Sequence, residues 1–347
     1  MKFERLSGKN RVIYECMWGT RENLGFDIEK NGSSYKITGL PGENGETIQQ
    51  AFNVKNKEAF ERQYKKAISG DGNEKNRILM LHSSSRLALM VFYNVEENPI
   101  TLEIEGKPVE FNYSTFEFKN PVIGNPSNMD VVLLSTDRKV VLFLESKFSE
   151  YYTSASNKSE SISNRYKEND ISRPIYEKLI GKEVGMRVYK NKNKVEETSE
   201  KFYLFMEDGS LNYLVGIKQM ISHYVGIRRR LNGDTIKSDT ESKENTEISK
   251  EVLSALRKDD SRVYLGEILF DKFFLPEGCK GEDPVVIRKN YSCLYEKLAQ
   301  ILNADIKDKQ LDAKFKVLET EFEYSEVMKA NKDKIEPETL RFYGIEE

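Results

Sequence analysis

Cysteine and long hydrophobic runs are scarce in this chain of 347 residues, and each scarcity excludes a class of protein. The three cysteines, Cys16, Cys279 and Cys293, form no CxxC spacing, so a structural zinc site is not expected. Their odd number makes a poor disulfide framework and fits a reducing compartment. No apolar run approaches the ~18 residues of a membrane span, and the charged start lacks the apolar region of a signal peptide. The sequence therefore predicts a cytoplasmic protein with no membrane partner.

A strong charge of one sign is also missing. The 54 Lys and Arg residues and the 57 Asp and Glu residues give a net charge of −3, which argues against a protein that coats nucleic acid with a uniformly basic surface. A local basic cleft is compatible with this balance. The 18 Tyr and 18 Phe residues supply apolar surface for a sizeable core and argue against disorder over most of the chain.

The hydrophobic pattern predicts an α/β protein with a central mixed β-sheet flanked by helices. Residues 1–55 alternate short apolar pieces with turn sequences, which is typical of a small β-rich lead-in. Helical periodicity follows, then strands from 100 to 148, a helix at 211–226, a strand at 263–270 and a helix at 287–301. We expect three parts: the lead-in at 1–55, a core at 56–305 and a C-terminal extension at 306–347.

Two adjacent apolar runs, Val131–Leu134 and Val140–Leu144, are separated by a polar turn and predict a hairpin buried on both faces. A hairpin brings the start of its first strand beside the end of its second, so Asp130 should lie next to Glu145. Because side chains two apart on a strand share a face, Glu145 and Lys147 should point the same way. The pattern therefore places two carboxylates and an ammonium together at one end of the hairpin.

This combination suits a hard cation with oxygen ligands. Two neighbouring carboxylates repel each other, and a cation such as Mg²⁺ or Mn²⁺ between them removes that repulsion. Such an ion can polarise a phosphodiester oxygen and lower the pKa of a bound water. Lys147 could orient that water or stabilise the charge that develops on phosphorus. These are the parts that hydrolysis of a phosphodiester bond requires.

Pro126, Asp130 and the run Glu145-Ser146-Lys147, with apolar strands adjoining the acids, resemble the core motif of the PD-(D/E)xK nuclease superfamily, which includes restriction endonucleases. Pro126 stands four residues before Asp130 rather than next to it, a spacing that the superfamily tolerates. The resemblance implies a restriction-endonuclease-like core and Mg²⁺-dependent or Mn²⁺-dependent cleavage of DNA. It also implies a metal held by Asp130, Glu145 and the backbone carbonyl of Ser146. A homodimer would supply two sites for the two strands of a duplex, and a restriction or defence role follows from the resemblance alone.

Further site residues of the superfamily have weaker counterparts here. A helix after the motif strand often contributes a Gln or Lys to such sites, and Lys218 and Gln219 occupy that place in the chain order. An acidic residue from an upstream helix corresponds to Glu74, with Glu58 and Glu61 as competing candidates. Each of these residues could instead be a solvated side chain on a helix surface.

Several other polar residues allow two interpretations. Gln219 and His223 are four apart and share a helix face, but a lone histidine is more often structural, and the same applies to His82. Glu117 either points to solvent or lines a cleft. The basic residues at 187–194 and 228–230 could contact phosphates, although a helix macrodipole explains the second group by itself.

The pattern acid-x-Lys occurs seven times in the chain, so alone it carries little weight. Only the copy at Glu145 follows a five-residue apolar run and has an aspartate on the paired strand. Three interpretations remain: a metal-dependent DNA nuclease, a nuclease-like fold that binds nucleic acid or protein without cutting, and an unrelated protein with an ordinary surface ion pair. The presence of both acids and the lysine favours the enzyme, because an inactive site is free to lose any of them.

Overall fold

A mixed sheet of seven strands runs through the computed structural model of the chain. The structure describes residues 8–18, 25–32, 34–69, 74–122, 126–153, 169–179, 184–190, 198–205, 211–213, 217–235, 243–279, 281 and 283–345. Within these ranges no helix combines the length and the apolar character that a membrane crossing needs.

The described residues form twelve strands. In chain order they are β1 (Asp27–Asn31), β2 (Ser34–Thr38), β3 (Ile100–Ile104), β4 (Lys107–Asn120), β5 (Ser127–Ser135), β6 (Val140–Lys147), β7 (Val184–Lys190), β8 (Thr198–Phe205), β9 (Leu211–Tyr213), β10 (Arg262–Leu269), β11 (Phe315–Val317) and β12 (Phe322–Glu323). β1 and β2 form a separate antiparallel sheet, and β7, β8 and β9 form another.

The helices of the described ranges precede, interrupt and follow the large sheet. In chain order they are α1 (Gly8–Trp18), α2 (Asn44–Ala51), α3 (Lys57–Ala67), α4 (Glu74–Arg77), α5 (Ser84–Phe92), α6 (Glu150–Thr153), α7 (Arg173–Leu179), α8 (Ile217–Leu231), α9 (Lys243–Arg257), α10 (Pro284–Asp308), α11 (Tyr324–Ala330) and α12 (Pro337–Phe342).

The predicted hairpin, β5 and β6, occupies the middle of the large sheet, whose strand order is β11-β10-β6-β5-β4-β3 with β12 also paired to β10. Val131 and Val141, one on each strand of the hairpin, are fully buried. Both are covered because α5 and the lead-in pack on one face of the sheet, while α8, α9 and α10 pack on the other. The predicted fold class, a central mixed sheet flanked by helices with a small N-terminal sheet, is confirmed.

The lead-in contains the expected strands, β1 and β2, and also two helices, α1 and α2. Apolar residues of these helices, such as Val12 and Ile48, belong to the same buried cluster as Val131 of the central hairpin. The C-terminal residues also join the large sheet, because β11 pairs with β10. The lead-in and the sheet therefore share one continuous core, and the proposed limits of the three parts stay a prediction.

Two element limits differ from those predicted. The helix expected at 211–226 is the helix α8, which runs from Ile217 to Leu231, because residues 211–213 form the strand β9. The first strand of the hairpin begins at Ser127, since β4 extends far enough to pair with it there. Asp130 thus lies inside β5 rather than at its start, but the hairpin register still places it beside Glu145.

Candidate active site

A cleft of about 600 Å³ opens where the hairpin meets α8 and the start of α5. Asp130, Glu145 and Lys147 line one side of it, together with Gln219 of α8. The other side is built from α4 and from the residues around the start of α5. One wall of the cleft therefore contains the residues that the hairpin pattern predicts, and the pattern did not indicate the second wall.

Val131 pairs with Leu144 in the antiparallel register, and Asp130 precedes Val131 while Glu145 follows Leu144, so the two acids are neighbours on β5 and β6. The carboxylate of Asp130 accepts a hydrogen bond from the backbone N–H of Ser146 at 2.7 Å, which fixes it against β6. Burial, and next the negative charge of Glu145, raise the pKa of Asp130 well above its usual value. The positive charge of Lys147 lowers this pKa by less, so the ionised form of Asp130 is only partly compensated.

Glu145 is buried, and both of its carboxylate oxygens have partners. Oε1 accepts a hydrogen bond from Lys147 Nζ at 2.7 Å, and Oε2 lies 2.9 Å from His223 Nε2. Burial alone would raise the pKa of Glu145, but the charge of Lys147 and the hydrogen bonds with His223 and Lys147 outweigh it and lower the pKa to about 2. Glu145 is therefore an anion across the physiological pH range.

Lys147 is buried beside Glu145 and donates a second hydrogen bond, to Gln219 Oε1 at 2.7 Å. Burial would lower the pKa of this ammonium, but the acids Glu145 and Glu267 raise it above its usual value. Lys147 therefore stays charged and cannot serve as a base. An ammonium has three N–H donors, and these two contacts use two of them, so one remains for a ligand in the cleft.

The helix α8 supplies the other polar partners of the site. Gln219 and His223 lie one turn apart on it, and they contact Lys147 and Glu145 respectively, as their shared face predicts. Apolar residues of the same helix, including Ile221, pack on the hairpin and hold these two side chains in place. The side chain of Lys218, the second predicted contributor from this helix, lies outside the described residues.

The three upstream acids differ in whether they line the cleft. Glu74 lines the cleft, and its Oε2 atom is buried without a hydrogen-bond partner among the described residues. Glu58 and Glu61 are exposed on α3 and do not line the cleft. Of the three helix acids considered from the sequence, Glu74 is thus the one that the structure brings to the site.

Glu117 lies on β4 across from Asp130, because the neighbouring pairs are Phe116 with Val131 and Phe118 with Met129. Its negative charge contributes to the raised pKa of Asp130, so it belongs to the surroundings of the site. Its backbone φ of 50° lies in the left-handed region, which is uncommon for a residue with a side chain and occurs often at functional sites.

One acid of this region was missed from the sequence. Glu267 on β10 lies opposite Glu145 in the parallel register and is fully buried. It accepts a hydrogen bond from the Tyr291 hydroxyl at 2.6 Å, while its Oε1 atom has no partner among the described residues. Burial raises its pKa to about 8. The sequence signal that could have indicated Glu267 was a single acid inside the apolar run 263–270. The strand β6, with which β10 pairs, is however far away in the chain.

The remaining polar residues considered from the sequence have structural contacts. Ser146 directs its hydroxyl away from the acids, 2.8 Å from the Tyr324 hydroxyl. Arg228 donates to Asp305 at 2.6 Å, and Arg230 donates to the carbonyl of Lys119 at 2.7 Å. These two arginines therefore hold α8 in place and do not line the cleft. For the basic segment 187–194, the side chains lie outside the described residues.

The donor set fits a hard divalent cation with few protein ligands. Asp130 and Glu145 offer carboxylate oxygens, and the carbonyl of Ser146 follows Glu145 directly in the chain. Glu74, whose buried Oε2 has no partner among the described residues, lines the same cleft. The described residues contain no group of three or more His, Cys, Asp or Glu that could hold a metal ion. Mg²⁺ often takes only one or two carboxylates and keeps several waters, so two acids suffice for it.

Comparison with known proteins identifies a family. A family model described as restriction endonuclease associating with ARP matches residues 29–224, which are 196 of the 347 residues and include the hairpin and the first half of α8. The comparisons with curated proteins and with solved structures found no match. The match confirms the resemblance to restriction endonucleases that the acids and lysine indicated. The chain therefore belongs to the family of restriction endonucleases associating with ARP.

Proposed function

We propose that this protein is a metal-dependent nuclease that hydrolyses phosphodiester bonds of DNA. The observation that carries the proposal is the convergence of Asp130, Glu145 and Lys147 in one cleft. Asp130, Glu145 and the carbonyl of Ser146 would hold Mg²⁺ or Mn²⁺. A bound ion would supply an activated water and neutralise charge on the phosphate. DNA is the expected substrate because the matched family is one of restriction endonucleases.

The residues of the chain itself would orient and stabilise the reacting groups. Lys147 keeps its positive charge, and Glu145 and Gln219 hold its ammonium in place. Its remaining N–H would donate to an oxygen of the phosphate, where negative charge increases in the transition state. His223 would keep the carboxylate of Glu145 in one orientation through its hydrogen bond at 2.9 Å.

One observation favours the alternative, a nuclease-like fold that binds nucleic acid or a protein without cutting. Both oxygens of Glu145 already have protein partners, Lys147 and His223. A cation would therefore have to share this carboxylate with two donors. If a cation cannot share Glu145 in this way, the cleft binds its partner without hydrolysis. Both interpretations predict binding, but only the nuclease predicts cleavage.

The deciding experiment is incubation of the protein with plasmid, linear and single-stranded DNA in Mg²⁺ or Mn²⁺, with a chelator as control. We expect metal-dependent cleavage by the wild type and none by Asp130→Asn. A matched control is Asp137→Asn, which changes an exposed acid at the opposite end of the same hairpin and should leave cleavage intact. Binding of DNA without cleavage by the wild type would establish the alternative. A homodimer, with one site for each strand, stays a prediction.

A further inference from the structure

The cleft has a second wall, opposite the acids, that the proposed chemistry does not use. Arg77 at the end of α4 and His82 just before α5 line this wall. We propose that Arg77 and His82 form a binding site for a backbone phosphate of the DNA strand, next to the phosphate that is cut. The inference rests on the proposed function and adds a substrate contact to it.

The lead-in builds this wall by pairing with the segment that joins Arg77 to His82. The N–H of Ile37 donates to the carbonyl of Leu79 at 2.9 Å, and the N–H of Leu81 donates to the carbonyl of Tyr35 at 3.0 Å. The segment thus continues the small N-terminal sheet as a third strand-like piece. The lead-in is therefore a part of the cleft and not a separate appendage.

A buried arginine fixes the same segment from behind. Arg86 on α5 is fully buried, and its guanidinium donates to the carbonyls of Ile78, Met80 and Leu81 at 3.1, 2.7 and 2.9 Å. Hydrogen bonds from a charged donor are the stronger ones, and three of them on four consecutive residues leave the main chain little freedom. Arg77 and His82 flank this fixed segment, so their main-chain positions beside the cleft are set before a ligand arrives.

His82 is held by one ring nitrogen only. Its Nδ1 lies 3.0 Å from the hydroxyl of Tyr14 on α1, and no described residue bonds its Nε2. Burial lowers the pKa of His82, so its ring is neutral and carries one N–H. When the Tyr14 hydroxyl donates to Nδ1, that N–H is on Nε2 and is available to a ligand in the cleft.

Arg77 is exposed and forms no ion pair with any described residue. The other lysine or arginine among the described lining residues is Lys147, which is bonded to Glu145. A guanidinium and an imidazole N–H are donors, so their ligand must present acceptor oxygens. Phosphate oxygens are such acceptors, and phosphate contacts position a nucleic acid without reading its sequence.

The test measures binding of a DNA strand in which one phosphate at a time is replaced by a neutral methylphosphonate, in the Asp130→Asn background so that the strand stays intact. When Arg77 is present, a methylphosphonate at one position beside the cleavage site should weaken binding of the strand. In Arg77→Gln the same replacement should cause no further loss. The salt dependence of binding should become shallower by about one unit in Arg77→Gln.

A matched control is Lys75→Gln, which removes a positive charge from an exposed residue of the same helix that does not line the cleft. It should leave the methylphosphonate profile unchanged. His82→Ala should weaken binding with an unchanged salt slope, because the ring is neutral. If the wild type cuts DNA but Arg77→Gln keeps the wild-type profile, the phosphate site is wrong and the nuclease stands. If the wild type neither binds nor cuts DNA, both proposals fail.

Discussion

The helix α8 carries two clusters of buried polar groups that differ in their balance of charge. Its first half brings Gln219 and His223 to Lys147 and Glu145 at the cleft. Its second half brings Arg228 to Asp305 of α10, where Nη1 and Oδ2 are 2.6 Å apart. Both clusters join the helix to a neighbouring element, so this shared structural role does not explain why their charges differ.

The cluster around Arg228 is balanced, with one cation, one anion and a hydrogen bond from the Tyr224 hydroxyl to Asp305 at 2.5 Å. At the cleft, the acids among the described lining residues outnumber the lysines and arginines; the acids are Glu74, Asp130, Glu145 and Glu150, and the cations are Arg77 and Lys147. A balanced buried pair stabilises packing when both charges are present. An excess of buried acids destabilises the fold on its own, and such groups concentrate at functional sites.

The largest expected effect is the loss of cleavage in Asp130→Ala. Removing this acid takes away one metal ligand, which should lower the rate by at least about 10³-fold, since the metal supplies several kcal/mol of transition-state stabilisation. Stability should hold or rise, because the neighbouring acid Glu145 loses a repulsive partner. Rates with Mg²⁺ and urea unfolding curves measure the two effects. Near wild-type cleavage would show that Asp130 holds no catalytic metal.

Lys147→Met should lower cleavage by about 10² to 10⁴-fold, which is what one electrostatic group contributes to catalysis. Methionine keeps much of the apolar stem of lysine and removes the charge, so metal binding should survive. In a protein that only binds DNA, the same change would cost one phosphate contact, seen as a salt slope shallower by about one unit. Cleavage rates and the salt dependence of binding, measured on one preparation, separate the two outcomes.

Arg228→Met should show the opposite behaviour. It leaves Asp305 buried without its cation, and breaking a buried pair in this way costs about 3–5 kcal/mol of unfolding free energy. The folded fraction should cut DNA at the wild-type rate, because Arg228 does not line the cleft. Denaturant curves and rates per folded molecule test this. A stable variant with impaired cleavage would reverse the assignment of the two clusters.

A smaller effect is expected from Glu267, whose pKa is raised from 4.5 to about 8 by burial. Between these values the folded protein binds more protons than the unfolded chain, so stability is full below about pH 4.5 and falls as the pH rises towards 8. Glu267→Gln removes this group and should reduce the decline by about 1–3 kcal/mol. Unfolding curves at pH 5 and pH 8 measure this decline in the wild type and in Glu267→Gln. An equal decline in stability in the two proteins would show that Glu267 is already ionised in the fold.

The local parts of the site could be predicted from the sequence, because hairpin register and strand alternation are short-range rules. They bring Asp130, Glu145 and Lys147 together without any knowledge of the rest of the fold. The helix spacing of Gln219 and His223 likewise showed that they share a face.

The long-range parts could not be predicted. Glu267 reaches the site through the parallel pairing of β10 with β6, which no local pattern specifies. Tyr291 lies within the helix predicted at 287–301, and only the structure shows that its hydroxyl donates to Glu267. The wall with Arg77 and His82 depends on backbone pairing between the lead-in and residues 79–81, and a lead-in predicted as mainly strands gave no reason to place it beside the acids.

The most direct test of the account is diffraction from crystals soaked in Mn²⁺ at millimolar concentration, with anomalous data to locate the ion. The imbalance of charge at the cleft predicts a Mn²⁺ peak between Asp130 and Glu145. The balanced cluster of Arg228 and Asp305 should show no peak. A site between Asp130 and Glu145 without Mn²⁺, in crystals that bind the ion elsewhere, would contradict a metal-dependent nuclease at this position.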